Sequence, residues 1–336
     1  MSRTGVEPKP SWQEVPRPVR SEAERVLGAR IVRGARVYGG YAPSATFRLL
    51  LADGRRAFFK GIWSESNKFM HRALEIEERV YRELGERISP WAPAFLGALR
   101  RDDWHALLLE DLGPADVPPW GSRKVRSAAH DFARLHQANL EAGAPDWISR
   151  DAWQQQADVW TRLGDLEGGL ASAAALAGDA RRQAEEWLGR SLPALSDAAR
   201  RVREIQPPYT LLHEDARSDN VRVTGGRLRI FDWNWISLGP LEFDVAAFAE
   251  GIAADGGPEP EAFVAAYRDV QSVRRDALSW CVAGFAGYFT AVAWRPPIPQ
   301  LPRVRDVQRR QMKVCLPWAA RLLELPEPTW LAAVPD

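Results

Sequence analysis

The order of apolar and polar positions changes character along the chain. Between residues 29 and 110, short apolar or alternating runs predict strands at 31–38, 46–52, 56–62, 94–99 and 105–110, and a longer run with helical spacing predicts a helix at 67–86. Asp53-Gly54, between the second and third strands, is a hairpin turn signal. This part therefore predicts a small antiparallel sheet that carries one helix.

Beyond residue 119 the pattern is mostly helical, with predicted helices at 125–140, 175–205, 241–253, 259–270, 276–293 and 304–325. Short β-like runs at 210–213, 221–224 and 227–231 interrupt it. We predict an α+β, two-lobed protein with an extension and short helix (1–28), a nucleotide-binding sheet lobe (29–111), a Gly- and Pro-rich linker (112–119) and a larger helical lobe (120–336). We expect the ligand site in the crevice between the lobes.

Composition narrows the class of protein. The chain is 46% hydrophobic and 26% charged, and its net charge of +1 lacks the basic excess of a nucleic-acid-binding protein. Cys281 and Cys315 do not have the spacing of a zinc site or a disulfide framework. We expect no signal peptide, and we interpret the uncharged stretch 277–294 as a buried helix, not a membrane span. Together these features predict a cytoplasmic protein without nucleic-acid or membrane partners.

Residues that could carry chemistry follow the first β-like run of the helical part. His213, Asp215 and Asn220 have the spacing H-x-D-x-x-x-x-N, and Asp232 comes twelve residues later, at the end of an apolar strand. Phosphoryl transfer needs a carboxylate near the attacking hydroxyl and oxygen ligands for Mg²⁺. We expect Asp215 to act as the base, and Asn220 and Asp232 to hold Mg²⁺. Simple turn hydrogen bonds are the alternative role of this loop.

The sheet lobe offers groups that suit a nucleoside triphosphate. Lys60 ends the third strand, and we expect it to bind the phosphates of ATP or GTP while paired with a glutamate of the following helix. An exposed edge-strand lysine is the alternative. The candidate partners are Glu75, Glu77 and Glu78, among which helical geometry alone does not choose.

Two loop segments complete the predicted nucleotide site. Gly39 and Gly40 lie in the first hairpin, which ends near Ser44, and their backbone can approach phosphates closely. The backbone of Glu110 and Leu112, where the last strand enters the linker, is a candidate partner for adenine. A plain turn and a plain buried strand are the alternative interpretations.

These residues together resemble the phosphotransferase enzyme family of aminoglycoside phosphotransferases and choline kinases, over residues 38 to 247. The resemblance rests on Gly39-Gly40, Lys60, the helix with Glu75 to Glu78, residues 108–112, His213-x-Asp215, Asn220, Phe231-Asp232-Trp233, Gly239-Pro240 and Asp244-Val245-Ala246. It implies a bilobal protein-kinase-like fold and a transfer of the γ-phosphate to a hydroxyl group. It also implies Glu77, four residues before Tyr81, as the partner of Lys60, and a structural role for Asp244.

Three positions of the loop have individual features. Glu214 stands where the family usually has glycine, and Asn234 stands where it often has glutamate. Arg217 corresponds to a lysine that meets the γ-phosphate in protein kinases. Our hypothesis is that Arg217 stabilises charge on the transferred phosphoryl group, with a surface arginine as the alternative.

The sequence predicts a small-molecule hydroxyl acceptor but does not identify it. An aminoglycoside needs converging carboxylates, for which the helical lobe offers Glu242, Glu250, Asp255, Glu259 and Glu261. The C-terminal part instead offers aromatic residues and arginines, which suit carboxylates, phosphates, sugars or quaternary ammonium groups. Surface charge is the alternative explanation of the acids, and helix packing is the favoured explanation of the aromatic residues. A sugar or amino-alcohol kinase and a catalytically silent nucleotide-binding protein are alternatives. A metal-dependent hydrolase is disfavoured because the chain has only five histidines.

Overall fold

The computed structural model describes residues 9–38, 44–64, 66, 68–298 and 301–335. Its α-helices are α1 Arg17–Leu27, α2 Lys68–Ile88, α3 Ser122–Asn139, α4 Val159–Asp165, α5 Gly169–Ala175, α6 Arg181–Arg200, α7 Leu241–Ala254, α8 Pro260–Arg268, α9 Arg275–Val292 and α10 Val304–Leu322. Its β-strands are β1 Ile31–Arg36, β2 Ala45–Leu51, β3 Arg56–Ile62, β4 Phe95–Arg101, β5 Trp104–Glu110, β6 Thr210–Leu212, β7 Val221–Thr224, β8 Arg227–Ile230 and β9 Ser237–Gly239.

The chain divides into two compact units, and each is assembled from three segments of sequence. Unit 1 consists of the chain up to Asp116 together with Asp219–Trp235 and Ile298–Arg303. Unit 2 consists of Val117–Ser218, Ile236–Pro297 and the chain from Val304 onward. The loop with the predicted catalytic residues therefore contributes to both units.

Unit 1 is built on an antiparallel sheet with the strand order β1-β2-β3-β5-β4. Alternate residues of β2 are fully buried, as expected for a sheet with one face on a core. The ring of Trp12 packs edge-on against Phe47 and Phe59, with centroid separations of 5.0 and 5.5 Å. This aromatic cluster fixes β2 against β3, and the register between them pairs Thr46 with Lys60.

Helix α2 has an apolar face with one exception. Its buried positions recur every three or four residues, and Glu77 occupies one of them, with no exposed surface. A carboxylate at a core position is costly without a charged or hydrogen-bonding partner. The sequence therefore specifies an ionic contact at the middle of this helix.

The hairpin β7–β8 completes unit 1 with residues from far along the chain. Gly225 and Gly226 form its turn with φ angles of 61° and 75°, which favour glycine. The register pairs Val221 with Ile230, so Asn220 and the residues after β8 lie together at the open end of the hairpin.

Unit 2 is mostly helical, and tryptophans fill much of its core. Trp160 of α4 packs against α9, where its Nε1 donates a hydrogen bond to the carbonyl oxygen of Ala283 at 2.8 Å. Helix α7 is buried on nearly all sides from Leu241 to Ile252. In the described part of the chain, no helix combines the length and the apolar character needed to cross a membrane.

The predicted elements differ from the observed ones mainly between residues 150 and 240. The helix predicted at 175–205 is divided: α5 ends at Ala175, Gly178 has a φ of 53°, and α6 covers Arg181–Arg200. Helices α4 and α5 and strand β9 were not predicted; the predicted helix shares only Ala175 with α5. β9 is only three residues long and gains its strand geometry by pairing with β6, which is a tertiary contact that local periodicity does not encode.

Candidate functional site

Three charged side chains meet in unit 1, each from a different element. Lys60 Nζ lies 2.5 Å from Glu77 Oε2 and 2.5 Å from Asp232 Oδ1. Lys60 comes from β3, Glu77 from the buried face of α2, and Asp232 from the segment after β8. One cation is thus shared between two carboxylates, one fully buried and one partly exposed.

The electrostatic balance of this cluster keeps Lys60 charged. Burial alone lowers the pKa of a lysine, but the carboxylates of Asp232 and Glu77 outweigh it and raise the pKa of Lys60 above its usual value. Burial raises the pKa of Glu77, and the Lys60 ammonium opposes this effect. The lysine is therefore held as a fixed positive charge beside an accessible carboxylate, as a phosphate-binding group requires.

Of the three glutamates considered on α2, Glu77 is the one that contacts Lys60. Glu78 instead pairs with Arg82 and Arg100 and contacts the ring of His105. Glu75 is exposed and lies 3.7 Å from Arg100. Neither of these two residues contacts Lys60 among the described side chains.

Asn220 and Asp232 lie at the open end of the β7–β8 hairpin. Asn220 is buried, and its carbonyl oxygen accepts a hydrogen bond from the Phe231 amide at 3.0 Å. Asp232 has a φ of 71°, an unusual conformation for a residue with a side chain, and such residues concentrate at functional sites. An amide oxygen and a carboxylate are the donors that Mg²⁺ prefers, so this pair fits the predicted metal.

The other predicted nucleotide contacts lie around the same sheet, so far as they are described. Gly39 and Gly40 fall outside the described residues. Ser44 is buried and directly precedes β2, two residues before the cross-strand partner of Lys60. Glu110 ends β5, and its carboxylate accepts hydrogen bonds from the Ala94 amide and from Arg229.

Leu112 follows β5 in a short segment that an arginine holds in place. Arg48 of β2 contacts the carbonyl oxygen of Gly113 and lies 3.3 Å from the carboxylate of Asp111. The backbone around Leu112 is therefore fixed to the sheet, as a segment that hydrogen-bonds a base would need to be.

In unit 2, Asp244 anchors the loop that follows β6. Its carboxylate oxygens accept hydrogen bonds from the amides of His213 and Glu214 at 2.6 and 2.8 Å. His136 Nε2 lies 3.3 Å from the same carboxylate, and its Nδ1 lies 2.7 Å from the hydroxyl of Tyr267. Because Asp244, His136 and Tyr267 are all buried, this hydrogen-bond network attaches the backbone of the loop to the core of unit 2.

Asp215 and Arg217 face each other within this loop. Arg217 Nε lies 3.0 Å from Asp215 Oδ1, and its second terminal nitrogen donates to Oδ2 at 3.2 Å. The amide of Asp215 donates to His213 Nδ1 at 3.2 Å. An acceptor hydroxyl that approaches Asp215 would therefore compete with the Arg217 guanidinium for the same oxygens.

Glu214 has an uncommon backbone conformation and a raised side-chain pKa. Its φ is 63°, and its carboxylate accepts a hydrogen bond from the hydroxyl of Ser237 in β9. Burial raises the pKa of Glu214 to about 8; the Ser237 hydroxyl opposes this effect, and the charges of Asp244 and Asp215 add to it. A buried carboxyl group that titrates near neutral pH thus lies directly beside the predicted base.

Glu250, one of the acids that the sequence offers for an aminoglycoside, is buried in α7. Its Oε1 accepts a hydrogen bond from Gln311 at 2.7 Å, and its Oε2 has no partner in the described part of the chain. Burial raises the pKa of Glu250 well above its usual value. Ser237, Gln311 and His136 belong to no motif, so no spacing signal could have identified them.

Comparison with known proteins decides the family. The sequence model of the phosphotransferase enzyme family matches residues 42–279, which is most of the chain. The chain belongs to the phosphotransferase enzyme family. It is therefore a phosphotransferase that acts on a hydroxyl group of a small molecule. No curated protein matches the sequence.

Solved structures with the same fold include three small-molecule kinases. A spectinomycin phosphotransferase bound to AMP has a TM-score of 0.59 and 14% identity, covering 88% of this chain and 93% of its own. An amicoumacin kinase bound to AMP-PNP and Ca²⁺ has a TM-score of 0.54 and 11% identity, covering 91% and 96%. The choline kinase of Streptococcus pneumoniae has a TM-score of 0.53 and 11% identity, covering 91% and 97%.

These likenesses confirm the predicted fold class. The phosphotransferase has a small antiparallel sheet unit from the N-terminal part of the chain and a larger, mostly helical unit, as do kinase-like proteins. At such low identity the likeness shows the fold alone, because one fold supports many substrates.

Proposed function

We propose that this phosphotransferase moves the γ-phosphoryl group of ATP or GTP to a hydroxyl of a small molecule, with Mg²⁺ as the metal. The observation that supports this most strongly is the Lys60–Glu77–Asp232 cluster in unit 1. It joins a permanently charged lysine to a carboxylate at the open end of a hairpin that also presents Asn220. The family and its nucleotide-bound structural neighbours support nucleotide use.

We assign the binding roles to unit 1. Lys60 binds nucleotide phosphates while Glu77 holds its side chain in place, and Asn220 and Asp232 hold the metal. The metal would neutralise charge on the phosphates during transfer. The backbone near Ser44, Gly39 and Gly40 contacts phosphates, and that of Glu110 and Leu112 contacts the base.

We assign the acceptor chemistry to the loop of unit 2. Asp215 accepts the proton of the attacking hydroxyl, and Asp244 fixes the loop through the amides of His213 and Glu214. Arg217 neutralises Asp215 before the acceptor binds and then stabilises negative charge on the transferred phosphoryl group. The proton passes from the acceptor oxygen to Asp215 while the bond from that oxygen to phosphorus forms.

The test is nucleotide consumption with Mg²⁺ over a panel of hydroxyl compounds: aminoglycosides, sugars, amino alcohols and hydroxy acids. Asp215→Asn should abolish acceptor-dependent release of the nucleoside diphosphate and leave nucleotide binding, measured by calorimetry, unchanged. Asp197→Asn, at an exposed position of α6, is the matched control and should leave both unchanged. Full turnover in Asp215→Asn would refute the assigned base.

A catalytically silent nucleotide-binding protein is the second candidate. The direct contact between Arg217 and Asp215 favours it, because the predicted base is already paired. This candidate predicts that nucleotide binds, that no acceptor stimulates its consumption, and that Arg217→Ala does not restore turnover. Acceptor-dependent turnover by the unmodified protein would exclude it.

A further inference from the structure

A cavity of about 260 Å³ lies in unit 2 between α4 and α9, and the proposed reaction does not yet use it. Its floor is aliphatic, and its rim carries two arginines and a tyrosine. The lining residues are Val159, Arg162, Leu163, Leu166, Tyr288, Ala291, Val292 and Arg295. The volume is slightly below the roughly 300 Å³ at which sites for drug-sized ligands begin, so it suits a small molecule with an apolar body.

The charged residues that line the cavity are both basic. None of the eight lining residues is acidic. Arg162 donates to the carbonyl oxygen of Gln155 at 2.9 Å, and Arg295 donates to that of Ala291 at 3.0 Å. Arg162 lowers the pKa of Asp158 through its charge, but in the described part of the chain neither guanidinium is within ion-pair distance of a carboxylate, and each has further N–H donors. Two unpaired guanidinium groups at the rim of an apolar cavity suit a ligand carboxylate.

Tyr288 lines the cavity and interacts electrostatically with Asp215. Burial raises the pKa of Tyr288, and the charge of Asp215 raises it further, while Arg217, Arg305 and Arg295 oppose this. The tyrosine is therefore within electrostatic range of both the predicted base and the cavity rim. The residue as a whole remains 39% exposed.

No carboxylate among the lining residues offsets this positive charge. A polycationic acceptor would therefore meet two arginines and no carboxylate in the lining of the cavity. This arrangement disfavours an aminoglycoside, whose amines need ionised carboxylates.

We propose that the cavity binds the acceptor, and that the acceptor has an apolar body, a hydroxyl group and a carboxylate. The inference rests on the proposed function for the phosphoryl transfer itself. Arg162 and Arg295 hold the carboxylate, the aliphatic floor covers the body, and the hydroxyl lies toward Tyr288. In the reaction, the hydroxyl oxygen of the acceptor forms a bond to the γ-phosphorus and its proton passes to Asp215. The bond from the γ-phosphorus to the nucleoside diphosphate breaks, and the nucleoside diphosphate leaves.

Binding can be tested without turnover. Calorimetry on the full chain should show that octanoate binds and that octylamine does not. Arg162→Gln and Arg295→Gln should each weaken octanoate binding by about tenfold or more, because a charge-assisted hydrogen bond is lost. Arg182→Gln on α6, at a side chain that is 90% exposed, is the matched control and should bind octanoate like the unmodified protein. Equal binding of octanoate and octylamine would overturn the inference, as would unchanged binding in both arginine variants.

Turnover provides the second readout. 3-Hydroxyoctanoate should stimulate nucleotide consumption more than its methyl ester or 1-amino-3-octanol does. Arg295→Gln should raise its KM by about tenfold or more with kcat within about twofold, because the arginine binds the acceptor without touching the reacting atoms. Turnover that prefers the amine would overturn the acceptor class and leave the proposed function standing. Octanoate binding without turnover on any acceptor would instead overturn the proposed function.

Discussion

Replacement of Glu214 by glutamine should change how the stability of the protein depends on pH. The folded protein raises the pKa of this carboxyl from 4.5 to about 8, so the folded state binds the proton more tightly than the unfolded state does. As the pH rises from 4.5 to 8, the free energy of unfolding must therefore fall. Between about pH 5.5 and about pH 7.5, this one group lowers it by about 2 to 3 kcal/mol.

Glu214→Gln removes that titration and keeps the size and shape of the side chain. Urea unfolding at several pH values should show the variant gaining about 2 to 3 kcal/mol relative to the unmodified protein over this pH interval. Glu324→Gln is the matched control, because Glu324 also has a positive φ, of 55°, but is exposed. It should show no pH-dependent difference. Parallel pH profiles for the unmodified protein and Glu214→Gln would refute the argument that burial holds this carboxyl protonated.

Three further substitutions test the packing and the anchoring contacts. Lys60→Met should lower the free energy of unfolding, measured with urea, by about 3 kcal/mol, because it leaves Glu77 buried without its cation. The double variant Lys60→Met/Glu77→Gln should recover part of this loss. Asp244→Asn should lower kcat and leave nucleotide binding by calorimetry unchanged, because one of two loop amides loses its acceptor. Gly239→Ala should destabilise the protein by about 1 to 3 kcal/mol, because its Cβ would lie 2.5 Å from the ring of the buried Trp153. Gly189→Ala is the control: there is open space around Gly189, so this substitution should not lower the melting temperature.

Much of the fold could be predicted from the sequence because its elements have clear local signals. The strands of the sheet alternate over short runs, and Asp53-Gly54 marks one turn, so β2, β3 and β5 were predicted to within a residue or two. Helices α7 and α9 are mostly apolar and were found equally well. Helix α4 is only seven residues long and was missed, because so short a run carries little periodicity.

Local spacing identified one part of the candidate site, and the family resemblance identified Lys60 and Glu77 as another part. The spacing of Asp215, Asn220 and Asp232 is local and was visible. The contact between Lys60 and Asp232 joins residues 172 positions apart, and only the folded chain shows it. The hydrogen bond from Ser237 to Glu214 depends on the pairing of β9 with β6, which no pattern within either segment specifies.

The discontinuity of unit 1 has a consequence for synthesis on the ribosome. Lys60 and Glu77 are made early, but Asp232, the other carboxylate that shares this lysine, is made 172 residues after Lys60. At roughly 5 to 20 residues per second, the nascent chain waits roughly 9 to 34 s before the hairpin β7–β8 is available. About half of unit 2, from Val117 to Ser218, is translated in that interval. A chain released before residue 235 would therefore lack part of unit 1. Unit 1 cannot finish folding until the first part of unit 2 has been translated.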